Sequence, residues 1–256
     1  MILFPAIDLV AGRVVRLERG DRSRMDVYSD DPVAQAEGFV ASGATWVHVV
    51  DLSSALEEDE DARAANARAI RGICGVEGLS VDVGGGVRSL ARIDELAALG
   101  ARRIALGTVL VREPAFAEVA AKGFGDLLVA DVAGIAGQVK VNGWREGAGL
   151  SVDELVGSLV ELGFRHLVYT DIARDGTRSG IDAAAYAHVA EVAGFPVVAS
   201  GGISSLDDIR TLAALGDDVI EGAITGRALY EGSFTLADAL AAASFTTGAI
   251  PEEGSC

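Results

Sequence analysis

Five aspartates hold the chemistry most open to this chain. Asp8, Asp51, Asp131, Asp171 and Asp175 each stand at or just past the end of a short apolar, β-branched run. Carboxyl groups gathered in one place do general acid–base work when their surroundings keep one charged and another protonated at the same pH. A strand-end aspartate also caps the helix or loop that follows, and capping or support is the reading for Asp51 and Asp171. Asp8 differs, because an extended segment follows it and no helix start is near enough to cap. Asp175 lies in Ile172-Ala173-Arg174-Asp175-Gly176-Thr177, where Asp-Gly is also ordinary turn chemistry. Its functional reading depends on the company it keeps.

That company is two sets of glycines. Gly85-Gly86 with Gly107-Thr108, and Gly201-Gly202 with Gly226-Arg227, each fall between a strand and a helix start. Loops of this kind let backbone N–H groups approach an anion, and the helix dipole adds about half a positive charge. One set alone says little, since glycine is common in tight turns. Two sets at matching places predict a ligand with a phosphate at each end. Trp144, on a long loop, suits packing or stacking on a heterocycle. His48 and His166 sit within strands, where a lone histidine is more often a hydrogen-bonded core residue. No His/Cys/Asp cluster has metal-ligand spacing, and no lysine stands at a strand end to form a Schiff base. Neither a metal nor a cofactor is expected.

The elements that must position these groups alternate. Strand candidates are Ile2 to Asp8, Thr45 to Asp51, Leu79 to Val83, Arg102 to Gly107, Asp126 to Val132, Arg165 to Asp171, Pro196 to Ser200 and Val219 to Thr225. Amphipathic stretches separate them, several ending in a glycine suited to a left-handed helix stop: Gly43, Gly100, Gly163, Gly194 and Gly216. Eight strand–helix units in this length predict a closed (β/α)8 TIM barrel, α/β in class, with catalytic groups at the C-terminal strand ends. The chain also repeats itself. Gly84-Gly85-Gly86-Val87-Arg88-Ser89-Leu90 returns 116 residues later as Ser200-Gly201-Gly202-Ile203-Ser204-Ser205-Leu206. Residues 1–243 are therefore read as one barrel built from half-repeats of about 1–125 and 126–243. Long connections after Asp8 and Asp131 are the expected lids, and 244–256 is expected to be a flexible tail.

Composition narrows the partners. The 256 residues carry 21 Lys+Arg against 38 Asp+Glu, formally −17, and only Lys122 and Lys140 are lysines. Such a field opposes nucleic acid and anionic membranes. Two cysteines with no ladder, no basic leader before Asp8 and no apolar run of 18 residues predict a soluble cytoplasmic protein. The expected partner is a small bis-phosphorylated molecule, and the chain is read as a monomer.

The ordered motifs Pro5-Ala6-Ile7-Asp8-Leu9 with Gly12-Arg13-Val14-Val15-Arg16-Leu17, His48-Val49-Val50-Asp51-Leu52, Val83 to Arg88, Thr170 to Thr177, Ser200 to Ile203 and Gly226 to Leu229 resemble the HisA family. These are phosphoribosylformimino-5-aminoimidazole carboxamide ribotide isomerases of histidine biosynthesis. The resemblance runs to about Leu240 and implies an Amadori rearrangement of a bis-phosphorylated aminoaldose. It assigns the base to Asp8 and the acid to Asp175, with Asp131 and Thr170 in support. It assigns substrate contacts to Arg16, His48, Arg88 and Trp144, with Arg16 and Trp144 at the imidazole carboxamide end. Phosphate contacts fall to Gly85, Gly86, Gly107, Thr108, Gly176, Gly201, Gly202, Gly226 and Arg227. Similarity to the sister cyclases is poorer, because Ala6 stands where they carry cysteine. Two departures are local: Arg19 precedes Gly20-Asp21 in place of glutamine, and Asn142 stands where bifunctional relatives, which also take phosphoribosylanthranilate, have arginine. Those bifunctional isomerases, and a catalytically silent phosphate-binding barrel, are the rival readings. Retention of Asp8 and Asp175 argues against the silent barrel.

Overall fold

The alternating runs fold into a ring of parallel strands. The computed structural model describes residues 1–18, 21–177 and 179–244. Its strands are β1 (Ile2–Val10), β2 (Arg13–Glu18), β3 (Asp21–Ser29), β4 (Trp46–Asp51), β5 (Ser80–Gly84), β6 (Arg103–Leu106), β7 (Leu128–Ile135), β8 (Gln138–Val141), β9 (Glu146–Ser151), β10 (Leu167–Asp171), β11 (Val197–Ser200) and β12 (Ile220–Thr225). Eight of them pair in parallel in the order β1, β4, β5, β6, β7, β10, β11, β12 and back to β1. This is a (β/α)8 barrel, and all eight expected strands are in it. The other four form antiparallel hairpins, β2–β3 beside the end of β1 and β8–β9 beside the end of β7. The two connections read as lids are thus ordered ribbons. β7 begins two residues later than expected and runs on to Ile135, because Gly125–Leu127 form a 3₁₀ turn.

Helices end at the glycines expected to stop them. Gly43, Gly100, Gly163, Gly194 and Gly216 all have φ between 71° and 105°, a region that favours glycine. Ser89 and Ser205 cap the helices Leu90–Leu99 and Leu206–Ala214 by accepting from the amides of Arg92 and Asp208. The repeat is therefore carried into local structure. Asp51 and Asp171 accept from the amides of Ser54 and Ala173, as the capping reading requires. Arg19, Gly20 and residues 245–256 lie outside the described residues.

The interior is layered. Phe4, Ala105, Val129, Val168 and Val198 form a small apolar plug inside the barrel, while the larger core lies between strands and helices. At the lower end Arg103 pairs with Glu221 and lies 4.9 Å over the ring of Trp46. Among the described residues no helix is long and apolar enough to cross a membrane.

Candidate active site

Side chains alternate along a strand, so the plug decides what faces the upper mouth. Two positions above Phe4, Val129 and Val168 come Ala6, Asp131 and Thr170, and Asp8 follows Ala6. Asp8 and Asp131 therefore rise from opposite halves of the chain into one opening.

Asp8 accepts a hydrogen bond of 2.5 Å from Nη1 of Arg16, an ion pair with both side chains largely buried. Arg16 reaches it from β2, where Val15 lies opposite Asp8. Its guanidinium lies 5.5 Å over Tyr230, and it fills the space above Gly226, where any Cβ would collide with it. Nε of Arg16 and Oγ1 of Thr225, both buried, have no hydrogen-bond partner. Asp175, on the loop after β10, is half-buried. Desolvation pushes its carboxyl above the usual range, Arg16 pulls it down, and Asp8 pushes it up again. One carboxyl thus has a guanidinium in direct contact, whereas the other is shifted toward its protonated form. A carboxyl shifted toward its protonated form is suited to give a proton.

Asp131 faces the opening. Desolvation by the surrounding barrel raises it, and although His48 counteracts, Asp82 adds repulsion, so its carboxyl is pushed up to about 6. Its side chain opens into the cavity, so solvent moderates this shift until something covers the mouth. Below it Asp82 lies 2.8 Å from Nδ1 of His48, and Oδ1 of Asp82 is buried without a partner. Burial alone would lower the basicity of His48; the contact with Asp82, helped by Asp131 and Asp8, raises it instead. Thr170 is buried beside this layer. Arg88 is on the outer rim, donating to the Ala55 carbonyl and paired with Glu57 at 2.7 Å. Trp144, half-buried at the β8–β9 turn, has φ 69°.

Each glycine set holds two different devices. At Gly85 and Gly201 a Cβ would come within 2.5 and 2.6 Å of the Asp51 and Asp171 carbonyls. At Gly86 and Gly202 it would meet Ser54 and Gly180 at 2.5 and 2.6 Å, and all four residues have positive φ. These glycines let adjacent loops pack backbone to backbone. Gly107 and Gly226 instead open short helices, with φ, ψ of −113°, −103° and −120°, −95°, and Gly107 lies beside Asp131. Arg227 donates to the carbonyl of Gly176 and so ties the Asp175 loop to the Gly226 turn. Each hairpin leans over the helix start preceding it in the barrel. Arg16 covers Gly226, while the Asn142 amide donates to Oγ1 of Thr108 and Glu146 pairs with Arg112.

The family model described as histidine biosynthesis protein matches residues 2–235. The chain belongs to this family. It is 43% identical to a protein of Moorella thermoacetica over 95% of this chain and 99% of that one. It is 44% identical to a protein of Roseobacter denitrificans over 94% and 99%. Both are named 1-(5-phosphoribosyl)-5-((5-phosphoribosylamino)methylideneamino)imidazole-4-carboxamide isomerase. Asp82 and Tyr230, which the sequence reading does not single out, lie against candidate site residues, Asp82 against His48 and Tyr230 under Arg16. Asp82 is a lone carboxylate inside an apolar strand, and that oddity was the available signal. Tyr230 gave none, being one aromatic in a short helix.

Proposed function

We propose that this chain catalyses the Amadori rearrangement named for its relatives, converting the bis-phosphorylated aminoaldose to the aminoketose in the cytoplasm. The observation that carries the reading is the pair Asp8 and Asp175: Asp8 is in contact with Arg16, and Asp175, near enough to feel both, has its carboxyl raised chiefly by desolvation. Asp175 gives its proton to the ribose ring oxygen, the C1–O bond opens, and the exocyclic nitrogen becomes an iminium. Asp8 then removes the C2 proton, and the electron pair moves to give the enaminol. Tautomerisation leaves a ketone at C2 and an amine at C1, so one carbon is oxidised as its neighbour is reduced. Asp131 and Thr170 orient the sugar hydroxyls.

The phosphates are assigned to the Gly107–Thr108 and Gly226–Arg227 turns, where helix starts present amides to an anion. Support for the second comes from the unpartnered Arg16 Nε and the Thr225 hydroxyl next to Gly226, because buried polar atoms ordinarily find a partner. This position moves Arg16 from the imidazole end, where the resemblance put it, to the phosphate and acid–base end. Arg88 and Trp144 remain for the rest of the substrate, and Gly85, Gly86, Gly201 and Gly202 act by shaping the loops. The substrate is the one partner proposed for the monomer.

The test is turnover of purified protein with this aminoaldose and, separately, with phosphoribosylanthranilate. Isomerisation of the first is expected, with Asp8→Asn and Asp175→Asn each lowering kcat by at least about 100-fold. An inactive parent rejects the assignment, and near-parental turnover in either variant removes that residue from the mechanism. Comparable efficiency on phosphoribosylanthranilate would establish the bifunctional reading.

A further inference from the structure

The root of the first hairpin is held by a buried polar network that the chemistry above does not use. Asn66, on the helix Glu60–Cys74, is fully buried. Its Nδ2 donates to the Leu9 carbonyl at 2.9 Å and to Oδ1 of Asp51 at 2.7 Å, while its Oδ1 accepts from the Gly12 amide at 2.8 Å. Two acceptors and one donor around the same group fix which end is nitrogen. Asp51, also fully buried, is satisfied on its other side by Arg92 at 2.7 Å and by the Ser54 hydroxyl at 2.6 Å. A second link runs beside it: the Ala11 amide donates to Oγ of Ser53 at 3.0 Å, and Ser53 donates to Glu58. Gly12 is packed against Ala65, its missing Cβ falling 3.3 Å from that of Ala65.

Ala11 and Gly12 form the turn between β1 and β2. Four residues on from Gly12, Arg16 must reach Asp8 with one nitrogen and the Gly226 turn with another. A ribbon pivots at its root, so a small rotation there moves the guanidinium by a larger distance.

We infer that Asn66 is a positioning residue for Arg16, pinning the β1–β2 turn to the helix Glu60–Cys74 so that the guanidinium lies between Asp8 and Gly226. The inference rests on the proposed reaction for its kinetic arm only. An exchangeable amide at Gly12 gives a second arm that needs no substrate.

In the kinetic arm, kcat/KM for the bis-phosphorylated aminoaldose is measured for the parent, Asn66→Ala, Arg16→Ala and the double variant. Losing the bond that seats Gly12 is expected to lower kcat/KM about tenfold in the parent background. In the Arg16→Ala background it should change kcat/KM by less than about twofold, because nothing remains to be positioned. Equal losses in both backgrounds, the pattern of a role in folding alone, overturn the inference. Ser53→Ala removes the neighbouring link and should show the same dependence on Arg16, so it replaces Asn66→Ala in the cycle if that variant does not fold. In the second arm, hydrogen exchange across Ala11 to Leu17 should quicken in Asn66→Ala or Ser53→Ala while exchange in β5 and β6 stays at the parental rate. Unchanged exchange at the turn overturns the inference whatever the kinetics. A parent that binds no aminoaldose rejects the proposed function, and the exchange experiment then judges the network alone.

Discussion

Asp131 is the residue whose protonation most directly connects chemistry to stability. Its carboxyl is pushed up to about 6, chiefly by desolvation. A carboxyl raised in the folded state favours folding when protonated, and that contribution is lost as pH rises from the unfolded value through the folded one. Asp131→Asn, which keeps the shape and removes the charge, should therefore leave stability unchanged near pH 4 and raise it near pH 8. The gain at the higher pH should be about 1 kcal/mol, reduced from the full linkage value because the side chain opens into the cavity. Thermal melts of parent and variant at the two pH values measure it. A variant less stable than the parent near pH 8 would mean that the His48 attraction outweighs the desolvation.

At the level of elements, the strand count, the helix stops and the matching serine caps were legible because they rest on local chemistry. Period-two apolar runs, serine caps and left-handed glycines act within a few residues, so the chain displays them directly. Asp8 and Asp131 were legible for the same reason, although β1 runs two residues and β7 four residues past them. The pairing of Asp82 with His48 was not, since it depends on two strands lying side by side 34 residues apart. Nor was the work of Gly86 and Gly202, where the partner that excludes a side chain belongs to another loop. Gly86→Ala and Gly202→Ala should each combine left-handed strain with the clash against Ser54 or Gly180. A cost of about 2 kcal/mol or more is expected, seen as a melting temperature lower by roughly 5 °C. Gly38→Ala, inside the helix Pro32–Ala41 with nothing within 4 Å, should instead gain about 0.5–1 kcal/mol. If Gly86→Ala melts with the parent and changes only KM, that glycine serves the phosphate after all.

For the molecule as a whole, the half-repeats predict that residues 1–125 and 126–243, made as separate chains, reassemble into an active barrel on mixing and are inactive apart. Turnover by either piece alone would contradict this. Their contacts include the Arg103–Glu221 pair below and the strand pairs β6–β7 and β1–β12. The hairpins add something that a simple pair of halves would lack. Arg16 of the first half covers Gly226 of the second, and Asn142 and Glu146 of the second half engage Thr108 and Arg112 of the first. Each half therefore roofs a helix start of the other and leaves its own to be roofed. A molecule spanning both turns would touch four surfaces, two from each half, and would clamp them as a bolt clamps two plates. Product or substrate should then tighten the association of the separated pieces, while inorganic phosphate, able to fill each turn but not to bridge them, should do so far less.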